Sequence, residues 1–179
     1  LALEPRTNIV LIGMPGAGKS TLGVLLAKAL GYDFLDTDVL IQRRANLTLT
    51  EYLQRHGHQA LRQLESQTIA DLDVHQTVIA TGGSAIYGES AMRHLSAFGN
   101  LVYLRCPLSV LDQRIGDMNE RGIAAPPGQG LHEVEAERVP LYERYAHATL
   151  DVGDQSMEDS LGQLQTLMKS RWPRVLTRD

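Results

Sequence analysis

Residues 13 to 20 read Gly-Met-Pro-Gly-Ala-Gly-Lys-Ser. This is the spacing G-x-x-x-x-G-K-S, which suits a loop that wraps phosphate groups with backbone N–H donors. Gly13, Gly16, Ala17, Gly18, Lys19, Ser20 and Thr21 are therefore the candidate contacts to a nucleotide. Glycines let successive amides turn inward, and the helix that follows adds the positive end of its dipole. Lys19 is expected to reach the β- and γ-phosphates, and the Ser20 hydroxyl to meet Mg²⁺. The chain has only three lysines, at positions 19, 28 and 169, so one standing where the motif demands it adds weight. The competing possibility is a plain glycine-rich turn before a helix.

A second constellation is Asp36-Thr37-Asp38. The two acids are two residues apart, so on extended chain they would share a direction. One could hold Mg²⁺ together with Ser20, through water in the usual manner of that ion. The other could accept a hydrogen bond from a substrate hydroxyl. The plainer alternative makes Asp38 a helix N-cap and leaves Asp36 at a solvated strand end.

These residues need a scaffold, and the hydrophobic pattern supplies one. Ile9-Val10-Leu11-Ile12 reads as a buried strand before the loop, and Thr21 to Leu30 as the helix after it, capped by Gly31. Tyr32 to Asp36, Val78 to Thr81 and Asn100 to Leu104 read as further strands. Helical stretches are expected over 38–45, 50–56 and 58–73, the last with Ala60, Leu61, Leu64, Thr68, Ile69 and Leu72 on one face. Alternating strands and helices predict an α/β sandwich with a mostly parallel sheet, in which ligands sit outside the carboxyl ends of the strands. Residues 116–130 contain Gly116, Gly122, Pro126, Pro127, Gly128 and Gly130 and cannot hold one helix or strand throughout. A loop of this length points to a mobile lid rather than an ordinary surface loop. The tail from Arg171 to Asp179 is expected to fray.

The bulk properties set limits. A chain of 179 residues with 43% hydrophobic content suits one domain with a substantial core. A net charge of −4 speaks against a nucleic-acid partner. No apolar run reaches the ~18 residues of a membrane span, and no secretory signal is seen. The single cysteine, Cys106, excludes an internal disulfide, fits a reducing cytoplasm, and is expected to be an inert filler beside a strand end. A monomer is expected.

Three further fragments complete a pattern: Leu61-Arg62-Gln63-Leu64-Glu65, Thr81-Gly82-Gly83, and Glu137-Arg138-Val139-Pro140-Leu141-Tyr142. Together with the loop at 13–20 and the Asp-Thr-Asp triplet, their order and spacing resemble the shikimate kinase family over roughly residues 8–168. The resemblance implies a P-loop kinase, a three-layer sandwich on a five-stranded parallel sheet of the nucleoside monophosphate kinase type, with residues 116–130 as the lid. It implies ATP as co-substrate, Mg²⁺ as cofactor, and phosphorylation of the 3-hydroxyl of shikimate in aromatic amino-acid biosynthesis. By this likeness Ser20 and Asp36 hold the metal, and Asp38 binds and orients the attacking hydroxyl. Arg62 and Arg138 clamp the shikimate carboxylate, Gly82 and Gly83 lie against the substrate, and Arg121 is the lid arginine that approaches the phosphates. Without the likeness, Arg62 could equally form a surface pair with Glu65, and Arg138 one with Glu135 or Glu137.

Two positions depart from the family pattern. The usual Thr-Gly-Gly-Gly ends here in Ser84, and the usual Arg-Pro-Leu of the lid reads Arg121-Gly122-Ile123. They leave room for a kinase acting on another small hydroxylated carboxylic or sugar acid. A non-catalytic ligand-sensing domain is the alternative of a different class. The adenine-contacting loop is expected near Asp151 to Ser156.

Overall fold

The computed structural model describes residues 6–118 and 120–176. Five strands form one parallel sheet: β1 (Asn8–Ile12), β2 (Asp33–Asp36), β3 (Thr77–Ala80), β4 (Gly99–Arg105) and β5 (Ala148–Asp151), in the order β2-β3-β1-β4-β5. β1 is central and all five of its residues are buried, as a strand covered on both faces must be. Asn8 is the one polar residue of that strand, and its side chain is fully matched. Its Nδ2 donates to Val74 O at 2.7 Å and Phe98 O at 3.2 Å, while Oδ1 accepts from Thr77 N at 3.0 Å. It ties the entry of β1 to that of β3.

Helices α1 (Lys19–Leu30), α2 (Thr37–Ala45), α3 (Leu49–Ala70), α4 (Glu89–Phe98), α5 (Leu108–Ile115), α6 (Leu131–Tyr145) and α7 (Met157–Arg171) complete the sandwich. The two helical stretches expected on either side of Gly57 both form within α3, separated by a kink where Gly57 leaves helical geometry at φ 80 and ψ 170. Its start is set by a capping box, in which Thr48 accepts from Glu51 N and the Glu51 carboxylate accepts from Thr48 N.

Two expectations require correction. The tail does not fray at Arg171: Pro173–Val175 form a helical turn, Trp172, Val175 and Leu176 pack on the core, and Tyr32 Oη donates to Val175 O at 2.7 Å. Residues 177–179 lie outside the described residues. The acidic pair does not run along extended chain either. β2 stops at Asp36 because the Asp36 carboxylate caps α2, accepting from Asp38 N at 2.9 Å, so Asp38 already lies in the first helical turn. The cap is therefore Asp36 and not Asp38.

Cys106 sits just beyond β4, buried, where desolvation raises its thiol pKa and keeps it protonated. Among the described residues no helix is long and apolar enough to cross a membrane.

Candidate active site

The carboxyl ends of β1, β2 and β3 open into a cleft of about 570 Å³, within the range of small-ligand sites. Gly16, Gly18, Lys19, Ser20 and Thr21 line one end of it. Gly13 and Ala17 stand behind the lining: Gly13 O accepts from Lys19 Nζ at 2.7 Å, and Ala17 is buried with its N–H on Met14 O at 3.2 Å. Gly18 caps α1 at φ 92, a left-handed conformation that costs a side-chain-bearing residue about 1–2 kcal/mol. The loop thus delivers the N-terminus of α1 to the cleft.

Lys19 also donates to Met14 O at 2.8 Å. Burial pulls its ammonium pKa down to about 8, against the opposing pull of Asp38. A phosphate arriving at this end would raise it again. Ser20 Oγ donates to Asp36 Oδ2 at 2.5 Å, so the two expected metal-holding side chains are in contact. Asp38 lines the cleft from α2. Burial first, then the Asp36 carboxylate, raise its pKa to about 6, with Lys19 opposing.

Gly82 and Gly83 follow β3 and face the same cleft. A side chain on Gly82 would overlap Glu65 Oε1 and come within 2.8 Å of Asp38 Oδ1. One on Gly83 would come within 2.9 Å of Arg138 Nη1. Both glycines therefore permit a close approach of acids and guanidinium to bare backbone. Tyr142, one turn beyond Arg138 on α6, donates to Gly83 O at 2.5 Å and stacks on Tyr103 at 5.1 Å. That bond fixes the glycine turn relative to Arg138.

Glu65 is not the surface partner of Arg62 that helical spacing allowed. It is buried, lines the cleft, and accepts from the Ser84 hydroxyl. Burial and the neighbouring Asp38 push its pKa up to about 7, with Ser84, Arg138 and Lys19 opposing. A carboxylate whose folded pKa is raised from 4.5 binds more protons folded than unfolded between the two values. Its ionisation therefore weakens the fold as pH rises through that window. Glu65→Gln, which keeps the size and the acceptor for Ser84, is expected to stabilise the protein at pH 8. The gain should be on the order of 2–3 kcal/mol, seen as a rise in Tm of roughly 4–12 °C. Most of it should vanish at pH 5. A Tm that falls at pH 8 would contradict the buried, ionising carboxylate.

The two arginines meet. Arg138, 1% exposed, donates through Nη2 to Ala124 O at 2.7 Å, and Arg62 Nη2 donates to the same oxygen at 3.1 Å. Arg62 also lies 3.7 Å over the Tyr87 ring, whose hydroxyl donates to Glu137. Neither arginine is a surface group paired along its own helix. Residues 116–130 carry no helix or strand among those described, and their middle is docked rather than solvated. Ile123 and Ala124 are buried, Ala124 among Ile41 and Leu61. Arg121 lines the cleft with Nη2 on Arg114 O at 2.5 Å.

The sequence profile described as "Shikimate kinase" matches residues 15–169. The chain belongs to the shikimate kinase family. It is 35% identical to a shikimate kinase of Methylococcus capsulatus over 178 residues, 98% of this chain and 99% of the relative. It is 36% identical to shikimate kinase 2 of Serratia proteamaculans over 149 residues, 80% of this chain and 86% of the relative. Among solved structures, the shikimate kinase from Acinetobacter baumannii in complex with shikimate superimposes at TM-score 0.82. That match has 29% identity and covers 96% of this chain and 97% of that one.

Against the pattern of the shikimate kinase family, both departures have a local structural reason. The Ser84 hydroxyl is taken up by Glu65. Gly122 takes φ 64 where a side chain would come within 2.9 Å of Leu49 Cβ and 3.1 Å of Thr50 N, so the lid lies closer to the start of α3 than a proline there would allow. Sequence reasoning missed Arg114 and Met157. Arg114 donates to Gly16 O at 3.0 Å and Gly153 O at 3.1 Å, joining the phosphate loop to the loop after β5, and both residues line the cleft. An arginine in the last turn of an amphipathic helix was the available signal for the first; nothing in the sequence singled out the second.

Proposed function

We propose that this chain transfers the γ-phosphoryl group of ATP to the 3-hydroxyl of shikimate, giving shikimate 3-phosphate and ADP. The observation that carries the reading is the convergence of Arg62 and Arg138 on one carbonyl oxygen in the cleft that also holds Asp38 and the phosphate loop. Shikimate has one carboxylate and three hydroxyls. Two guanidinium groups recognise a carboxylate through paired, charge-assisted bonds, and aspartate accepts from a hydroxyl. The Acinetobacter relative carries shikimate in its solved complex, which agrees in ligand class.

On this reading the carboxylate takes the place of Ala124 O between the guanidinium groups. Asp38 orients the 3-hydroxyl and accepts its proton as the new P–O bond forms and the bond to the ADP oxygen breaks. Little covalent help is needed; position and charge dominate. Lys19 and the backbone amides of the loop hold the phosphates, and Arg121 approaches them from the lid. Arg114 and Met157, a planar cation and a polarisable thioether, flank the end of the cleft suited to the purine. Ser20 and Asp36 offer oxygen donors alone. This fits Mg²⁺, which takes few protein ligands and completes its shell with water and phosphate. Bound there with the nucleotide, Mg²⁺ neutralises phosphate charge. We take the working unit to be a monomer, and ATP use with a lone protonated thiol suits the cytoplasm.

The retained lysine, acids and arginine pair favour catalysis over ligand sensing, and no acceptor other than shikimate is favoured. ADP release from ATP and Mg²⁺ should rise at least ~100-fold on adding shikimate, and hardly at all with other hydroxy acids such as quinate or gluconate. Equal stimulation by one of those acids would move the assignment to a different acceptor.

A further inference from the structure

Glu65 is 2% exposed, yet only one of its carboxylate oxygens is matched. Ser84 donates to Oε2, while Oε1 has no hydrogen-bond partner among the described residues and lies above Gly82, where Asp38 Oδ1 also reaches. A buried carboxylate oxygen without a donor is costly, and a native fold keeps one where a ligand brings the donor. Two acid oxygens over one bare glycine present acceptors to two adjacent hydroxyls of a bound molecule. Ser84 itself has φ −94 and ψ 1, an ordinary conformation for any residue, so the backbone does not dictate the choice between serine and glycine there.

We propose that Ser84 is a specificity-determining positioning residue: its hydroxyl fixes one oxygen of Glu65 and so aims the other at a ring hydroxyl of the acceptor, beside the hydroxyl engaged by Asp38. This rests on the acceptor reading given above. Without the Ser84 hydroxyl, Glu65 has two unmatched oxygens and is freer to rotate and to take a proton, which turns an acceptor into a donor. The groups facing Glu65 are Lys19 from α1, Asp38 from α2, Arg62 on its own helix, and Arg138 and Tyr142 from α6. Asp38 favours the protonated form, whereas Lys19, Arg138 and the Ser84 bond favour the ionised one. Removing that bond therefore raises the pKa of Glu65 further above its value of about 7.

Ser84→Ala is expected to raise KM for shikimate about 5–20-fold while kcat changes less than about threefold. The effect should be larger at pH 6.5 than at pH 8.5, because the acid limb of kcat/KM moves to higher pH. In a Glu65→Gln background the same substitution should change KM no further, since the ionisable carboxylate whose charge and aim it sets is gone. Ser84→Gly, the residue of the family pattern, should behave like Ser84→Ala, and Ser84→Thr should restore KM. A second readout needs no turnover: the pH dependence of the stability difference between the protein and its Glu65→Gln variant tracks Glu65 ionisation, and it should shift upward when Ser84 is alanine. An unchanged KM together with an unshifted titration overturns the proposal, as does full additivity with Glu65→Gln. Absence of shikimate-dependent turnover in the unaltered protein would instead sink the acceptor reading. The titration would then still decide whether Ser84 sets the state of Glu65.

Discussion

Asp38→Asn should lower kcat by roughly 10²–10⁴, the range spanned by loss of a positioned general base, while the Kd for ATP stays within about threefold. The asymmetry follows from where Asp38 stands. Its carboxylate lies over Gly82, and no backbone cap depends on it because Asp36 fills that role. Asparagine keeps the shape and one acceptor oxygen but cannot receive the proton of the attacking hydroxyl. The pH profile carries the same argument. On the proposed function the base is Asp38 and must be ionised, and it is held at about 6, so kcat/KM should fall as pH drops through that value. Glu65, held at about 7, titrates in the adjoining window. The combined fall should therefore be steeper than one decade per pH unit, and Asp38→Asn should flatten it. Steady-state rates across pH 5–9, with nucleotide binding measured separately, check both parts. An equal loss in turnover and ATP affinity would place Asp38 in nucleotide binding instead.

What the sequence made legible was whatever is local. The phosphate loop, its flanking strand and helix, and the glycine turn after β3 are set by residues adjacent in the chain, and they form where spacing alone puts them. The fifth strand was not legible from the residues: Ala148–Asp151 is a four-residue edge strand with every second residue exposed, too short and too polar for the pattern to register. The fate of Arg62 and Glu65 was hidden for a different reason. Three residues apart on a helix, they share a face, and spacing cannot say whether they meet each other or turn to separate partners. Those partners, Tyr87 and Ser84, come from the segment after β3 and become neighbours only once α3 packs beside the sheet. The tail misled because Trp172-Pro173 reads as a breaker, whereas Trp172 is anchored on the core and the chain after it turns back toward Tyr32.

Arg138→Lys should raise KM for shikimate about 100-fold and Arg62→Lys about 10-fold, with KM for ATP changed less than about threefold in each. A lysine carries the charge but not the fork. At Arg138, 1% exposed, water cannot stand in for the lost donor. Arg62 is half-buried on the Tyr87 ring, and solvent repairs part of the loss there. The lid sharpens the contrast. Both guanidinium groups hold Ala124 O, so an incoming carboxylate must displace a neutral carbonyl. On the proposed function it does so because a hydrogen bond to an anion is roughly twice as strong as one to a neutral acceptor. A weakened clamp loses that advantage first. Shikimate methyl ester separates recognition from support: it keeps the ring and hydroxyls but has no anionic group. Against the ester, the unaltered protein and Arg138→Lys should turn over with kcat/KM values within about threefold of each other. A penalty as large with the ester as with the acid would mean that Arg138 holds α6 and the glycine turn in place and does not read the carboxylate.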